Sequence, residues 1–207
     1  MRVTMVMLVG TQVRAPAERI AIVSTANPLP PYGVPLVRPP LEVPGFFFGG
    51  YECSTQVDRS GRRRDLVAET QHDRLRDEDY GALRGVGMSV IREGVPWHRI
   101  DDAGALDLAP FDHLIEATTR HGLTPIWDLF HYGFPDDLNP FTDGFAERFA
   151  HYAGAVARRR RHLAGPGGWY TPVNEPSFMA WAGGEVGWFA PFGAGRGYDL
   201  KMRLVRA

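Results

Sequence analysis

Cysteine is nearly missing from this 207-residue chain: Cys53 stands alone, so no internal disulfide framework is possible and a reducing compartment is expected. Charge of one sign is missing too. With 23 basic and 24 acidic residues the net charge is −1, which leaves no global field to draw the chain to nucleic acid or an acidic membrane. The seven histidines show neither His-Glu-x-x-His nor Cys-x-x-Cys spacing, so the sequence supports no metal site and implies no cofactor. No apolar run approaches the length of a membrane span. Met1–Val9 is apolar but carries a thin basic start and no small-residue cleavage site, so the expected location is cytoplasmic rather than secreted. A Gly-x-Gly-x-x-Gly turn after the first strand is also lacking, which argues against dinucleotide binding.

What is present divides at residue 45. Residues 1–45 hold Pro28, Pro30, Pro31, Pro35, Pro39, Pro40 and Pro44, a density that fixes extended backbone and reads as an N-terminal arm or linker. From Phe46 the texture is that of a folded domain, 46–207. Phe46–Tyr51 reads as a fully buried strand. A charged loop follows, in which Arg62, Arg63 and Arg64 are balanced by neighbouring acids. Leu75, Tyr80 and Leu83 then mark a helix over 74–86 that ends at Gly85 and Gly87. The second strand is Ser89–Glu93, running on to Ile100. A helix from Pro110 buries Phe111, Leu114 and Ile115, with Thr118 continuing that face and bonding its hydroxyl back to the preceding turn. The third strand is Leu123–His131. Phe145, Phe149, Tyr152, Ala153 and Val156 fall at helical spacing, and Arg158–Arg161 close that helix against its dipole. A fourth strand carries Asn174 and Glu175 at its end. Trp181 and Trp188 lie in the loop beyond it, and a last helix begins near Tyr198.

Strict alternation of strand and helix argues a parallel sheet, either doubly wound or part of an eight-fold barrel. Gln56, Arg92, His131, Asn174 and Glu175 all fall at or just past different strand ends, which a barrel gathers on one face. The partial (β/α)8 barrel is therefore the expected α/β fold, with about four units in this chain. A carboxylate beside a side-chain amide at such an end suits a general acid in a sugar-cleaving site, Glu175 being the first candidate.

Four segments in order carry a resemblance. Phe46-Phe47-Phe48-Gly49 with Gln56, Ile91-Arg92 through Trp97-His98-Arg99-Ile100, Leu129-Phe130-His131-Tyr132-Gly133-Phe134-Pro135, and Pro172-Val173-Asn174-Glu175-Pro176 resemble the N-terminal half of the family 1 glycoside hydrolases, the β-glucosidase family. The resemblance implies a retaining hydrolase of O-glycosidic bonds acting on a β-glycoside. Glu175 then looks like the acid/base, Asn174 like the amide that bonds the sugar 2-hydroxyl, and Arg92 like the arginine that orients the nucleophile. Gln56 and His131 resemble the groups that grip the sugar, and Trp97, Tyr132, Trp181 and Trp188 offer stacking faces.

Departures accompany the matches. Asp58-Arg59 replaces the family's Glu-Gly, Tyr132 its tryptophan, and Gly133 its aspartate. The nucleophile motif Thr-Glu-Asn-Gly does not occur in these 207 residues, and the nearby acids Glu52, Glu93 and Asp128 do not clearly replace it. Strand alternation sets Glu93 on the face opposite Arg92. The expectation is a chain carrying the acid/base half of a glycosidase. A catalytically inactive sugar-binding half-barrel, and a homodimer that closes the open sheet edge, stand as alternatives.

Overall fold

The computed structural model describes residues 45–207. The expected proline-rich arm and the apolar start lie outside the described residues. The elements in chain order are β1 (Phe48–Gly50), α1 (Leu66–Glu69), α2 (Arg76–Gly85), β2 (Val90–Gly94), α3 (Trp97–Ile100), β3 (Asp101–Asp102), β4 (Ala105–Leu106), α4 (Ala109–Arg120), β5 (Thr124–Asp128), α5 (Gly144–Ala164), β6 (Trp169–Thr171), α6 (Pro176–Met179) and α7 (Gly197–Arg206). Between α6 and α7 the helix widens into a π-turn over Ala180–Glu185. Strands β1, β2, β5 and β6 form a four-stranded sheet in that order, each pair parallel. The order never reverses, so the sheet has no topological switch point; it grows in one direction, as the wall of a barrel does.

The helices cover one face of this wall. Phe111, Leu114, Ile115, Ala117 and Thr118 of α4 are all buried, and the Thr118 hydroxyl donates to the Leu114 carbonyl at 2.9 Å, as the sequence periodicity requires. Phe111 meets Trp127 of β5 edge to face at 4.9 Å. From α5, Phe145, Phe149, Tyr152 and Val156 are buried, while Ala153 is only partly so. At the end of α5, Arg160 Nη1 donates to the Gly165 carbonyl at 3.0 Å, and Arg159 grips Asp112. The arginine run is thus a cap and an interhelical clasp, consistent with its position at the negative end of the dipole.

Several boundaries differ from the sequence expectation. The first strand is shorter than Phe46–Tyr51, and Phe46 and Phe47 are exposed rather than buried. The second strand stops at Gly94 instead of reaching Ile100. Pro96 lacks an N–H for the ladder and opens α3, which carries Trp97 into the core. The third and fourth strands end at Asp128 and Thr171, before the residues of interest, although Leu129 N still donates to the Thr171 carbonyl and Asn174 N to that of Phe130. A short antiparallel hairpin, β3–β4, lies between α3 and α4, where the sequence shows no strand alternation.

A buried polar group sits on the helical face of β2. Glu93 is 1% exposed and accepts from the Tyr80 hydroxyl at 2.6 Å, with His72 Nε2 at 3.2 Å. His72 Nδ1 reaches Asp79 Oδ2 at 2.6 Å, and Tyr51 stacks on the imidazole at 3.9 Å between centroids. Glu93 does face away from Arg92, as alternation requires. Burial by itself, and Arg76 nearby, would depress the imidazolium; bonds and charge from Glu93 and Asp79 outweigh them, and the His72 pKa is raised. A raised folded value means this contribution is fully present below the unfolded pKa of about 6.5 and is lost as pH climbs through the folded one. Urea midpoints of the parent and His72→Gln are expected to differ most near pH 6 and to converge at alkaline pH. A constant gap across that range would remove the charge from the account.

No described helix is long and apolar enough to cross a membrane.

Candidate active site

Four chain segments leave the C-terminal ends of β1, β2, β5 and β6 and meet on the side of the sheet that the helices leave free. Alternation puts Arg92 and Gly94 on that side, and the register sets Gly94 beside Asp128. Gly94 is required there by space. A Cβ on it would lie 2.3 Å from Cβ of Cys53, so the missing side chain is what lets Cys53 come down beside Asp128.

From these ends a single hydrogen-bonded group is assembled. Arg92 Nη2 donates to Asp128 Oδ2 and to Asn174 Oδ1, both at 2.5 Å. Fixing the amide oxygen on arginine aims Asn174 Nδ2 at Tyr132 Oη (3.0 Å) and His131 Nε2 (3.0 Å). The Tyr132 hydroxyl in turn donates to Glu175 Oε2. His131 Nδ1 lies 2.8 Å from Asp128 Oδ2 and 3.2 Å from Cys53 Sγ. A proton on Nδ1, shared with Asp128, leaves Nε2 free to accept from the amide, so one tautomer satisfies the whole chain. Burial and the Glu175 carboxylate hold the Tyr132 hydroxyl far above its ordinary pKa, so it stays a donor. Burial likewise pushes the Cys53 thiol up, with Asp128 adding to it.

The backbone is bent to make this possible. Tyr132 (φ 65°) and Glu175 (φ 41°) both occupy the left-handed region, which costs a non-glycine residue on the order of 1 kcal/mol or more. Gly133 follows Tyr132 because a Cβ there would fall 1.7 Å from the Thr55 hydroxyl. That contact explains why this chain has no side chain at the position.

Not every predicted site residue joins the group. Arg92, His131, Tyr132, Asn174 and Glu175 do. Gln56 is placed on the neighbouring strand-end loop; its Oε1 is buried with no hydrogen-bond partner among the described residues. Trp97 is a correction: it is 1% exposed, stacks on Tyr152 at 5.1 Å and donates to Asp101 at 3.0 Å, so it offers no face to a sugar. Trp181 is accessible, 4.6 Å from Trp188, and linked through Phe178 to Tyr132 at 5.4 Å. The π-turn that holds Trp181 is pinned by a 2.7 Å bond from Gly193 N to the Gly183 carbonyl. Sequence reasoning named Glu52 and Asp128 only as stray acids and gave Cys53 no role; here Glu52 Oε1 stands 3.5 Å from His131 Nε2 and Asp128 is the hub of the group. The signal for Asp128 was its two-residue offset from Ile126 on the same strand face.

The sequence profile of glycosyl hydrolase family 1 matches residues 53–203. Beta-glucosidase 6 of Oryza sativa subsp. japonica is 32% identical over 139 residues, 60% of this chain and 25% of that protein. Thermostable beta-glucosidase B of Thermobispora bispora is 34% identical over 110 residues, 48% of this chain and 23% of that one. Human Klotho is 25% identical over 135 residues, 61% of this chain and 13% of that protein. Among solved structures, the family 1 β-glucosidase of Thermotoga maritima superposes with a TM-score of 0.58 at 22% identity, over 65% of this chain and 32% of that one. A rice β-glucosidase in a covalent complex with Glc does so with a TM-score of 0.60, also at 22% identity, over 72% and 35%. The chain therefore spans about a quarter or less of these curated relatives and about a third of the solved ones.

Proposed function

The chain belongs to glycosyl hydrolase family 1, and from that premise we propose that it supplies the acid/base half of a retaining β-glycosidase site. Its four strands are read as the first four of eight in the barrel, with the nucleophilic carboxylate contributed from beyond these 207 residues. The observation that carries this reading is the single hydrogen-bonded chain from Arg92 through Asn174 and Tyr132 to Glu175. A general acid must be held in one rotamer against the leaving oxygen, and a carboxyl reached by a fixed phenol is so held.

In the first step Glu175 gives its proton to the glycosidic oxygen while the nucleophile takes the anomeric carbon; in the second it takes a proton from the attacking water. Asn174 bonds the sugar 2-hydroxyl, and Arg92, already charged and anchored on Asp128, orients the nucleophile. His131 and Gln56 bind the remaining hydroxyls. The unpartnered Oε1 of Gln56 supports that role, because a buried amide oxygen without a partner costs about 1–3 kcal/mol that a sugar hydroxyl would recover. Tyr132, where the family has tryptophan, is a positioning residue for Glu175. Trp181 and its aromatic neighbours receive the substrate beyond the scissile bond. The lone, buried thiol fits a cytosolic place of action.

The stereochemistry of the product tests this. Proton NMR taken within the first minutes of hydrolysis of an aryl β-glucoside, by the form of the protein that includes the nucleophile, should record the β-anomer first, followed by mutarotation. Initial release of the α-anomer would mean inversion and would sink the two-step reading.

A further inference from the structure

Cys53, Asp128 and His131 come from two different strand ends, and their donor atoms converge more tightly than sugar recognition requires. Sγ to Nδ1 is 3.2 Å, Sγ to Oδ2 is 3.7 Å, and Nδ1 to Oδ2 is 2.8 Å. A tetrahedral zinc with bonds of about 2.0–2.3 Å spaces its donors roughly 3.3–3.6 Å apart, so each observed edge is within about half an ångström of that requirement. We propose that these three residues form a binding site for a thiophilic divalent cation, Zn²⁺ or Co²⁺, set beneath the sugar pocket.

Three further observations support it, and a fourth sets its cost. The first is room: a cavity of ≈ 50 Å³ opens beside two of the three ligands, Cys53 and His131, with Glu52 and Arg92 in its wall, while Asp128 lies behind that wall. The second is donor capacity: Oδ2 of Asp128 already accepts from Arg92 at 2.5 Å, and Oδ1 of the same buried carboxylate has no partner among the described residues, so a turn of the carboxylate offers the metal a free oxygen. The third is the outer shell. A histidine that binds metal through one nitrogen hands the other N–H to a carboxylate, and Glu52 Oε1 already stands 3.5 Å from His131 Nε2. The fourth is charge: the Arg92 guanidinium on Asp128 opposes a cation, but the thiolate formed on binding and Glu52 offset it.

The Sγ–H proton leaves to solvent, and the ring proton passes from Nδ1 to Nε2, facing Glu52. The Asn174 amide then loses its acceptor on His131 and keeps Tyr132. Because His131 is turned from sugar ligand to metal ligand, the site would silence the pocket rather than serve it. The binding itself does not depend on glycosidase activity.

Titrating the chelator-stripped chain with Co²⁺ tests the site by absorbance. One equivalent should bring up a thiolate-to-cobalt charge-transfer band in the near ultraviolet with tetrahedral d–d bands, and Zn²⁺ should bleach both. Cys53→Ser, with circular dichroism matching the parent, should lose the charge-transfer band. His131→Ala should keep it but bind at least about ten-fold more weakly. A spectrum without charge transfer in the parent, or equal cobalt affinity in parent and both variants, would overturn the site.

Discussion

Glu175→Gln should leave the active form of the protein folded and lower kcat on alkyl glucosides and disaccharides by about 10²–10⁴-fold, the range for removing a general acid. The same change should cost far less with dinitrophenyl glucosides, whose leaving group departs without a proton. Added azide should then accelerate breakdown of the glycosyl intermediate, since it needs no general base. The substitution is well suited to the site. Gln keeps the volume and can still accept from Tyr132, so the backbone at φ 41° has no new reason to relax. Equal losses on both substrate classes would show that Glu175 is not the acid.

Arg92→Met is expected to cost stability, about 3–5 kcal/mol, the range for removing one partner of a buried pair. The Asp128 side chain is fully buried and takes one oxygen's charge compensation from Arg92, while its other oxygen has no partner among the described residues. Methionine keeps most of the arginine stem, so the loss isolates the charge rather than the packing. Asn174 loses the donor that sets its amide orientation at the same time. In a double-mutant cycle, adding Asp128→Asn should recover a large part of the loss, because the stranded carboxylate is then gone. Denaturant midpoints of the four proteins measure the coupling. Simple additivity would mean that Arg92 acts by packing alone.

The helices were legible because their signal is local. Phe111, Leu114, Ile115 and Thr118 repeat at helical spacing in one short window, and so do Phe145, Phe149, Tyr152 and Val156. Arg92, His131, Asn174 and Glu175 were legible for a different reason: they are polar residues at the ends of four apolar runs, and a parallel wall has only one place to gather such ends. Asp128 carried the same mark at the end of β5, but Cys53 carried none. The meeting of Cys53 with Asp128 depends on a side chain that is not there, at Gly94, and no property of Cys53 itself reports that space. Trp97 misled because its sequence neighbour Arg92 belongs to the site. The turn at Pro96 sends the indole to the other side of the wall, where aromatic partners on α5 hold it.

Every strand of this sheet pairs only with the one laid down just before or just after it in the parallel series. A chain leaving the ribosome therefore never has to hold a strand open for a partner not yet made between its neighbours. Each new strand finds its template finished, and the helix that follows it can seal the joint before the next arrives. Sheets whose central strands come last must wait, with apolar edges open to other chains. Here assembly can keep pace with synthesis at the growing β6 edge, and the β1 edge is the one left open.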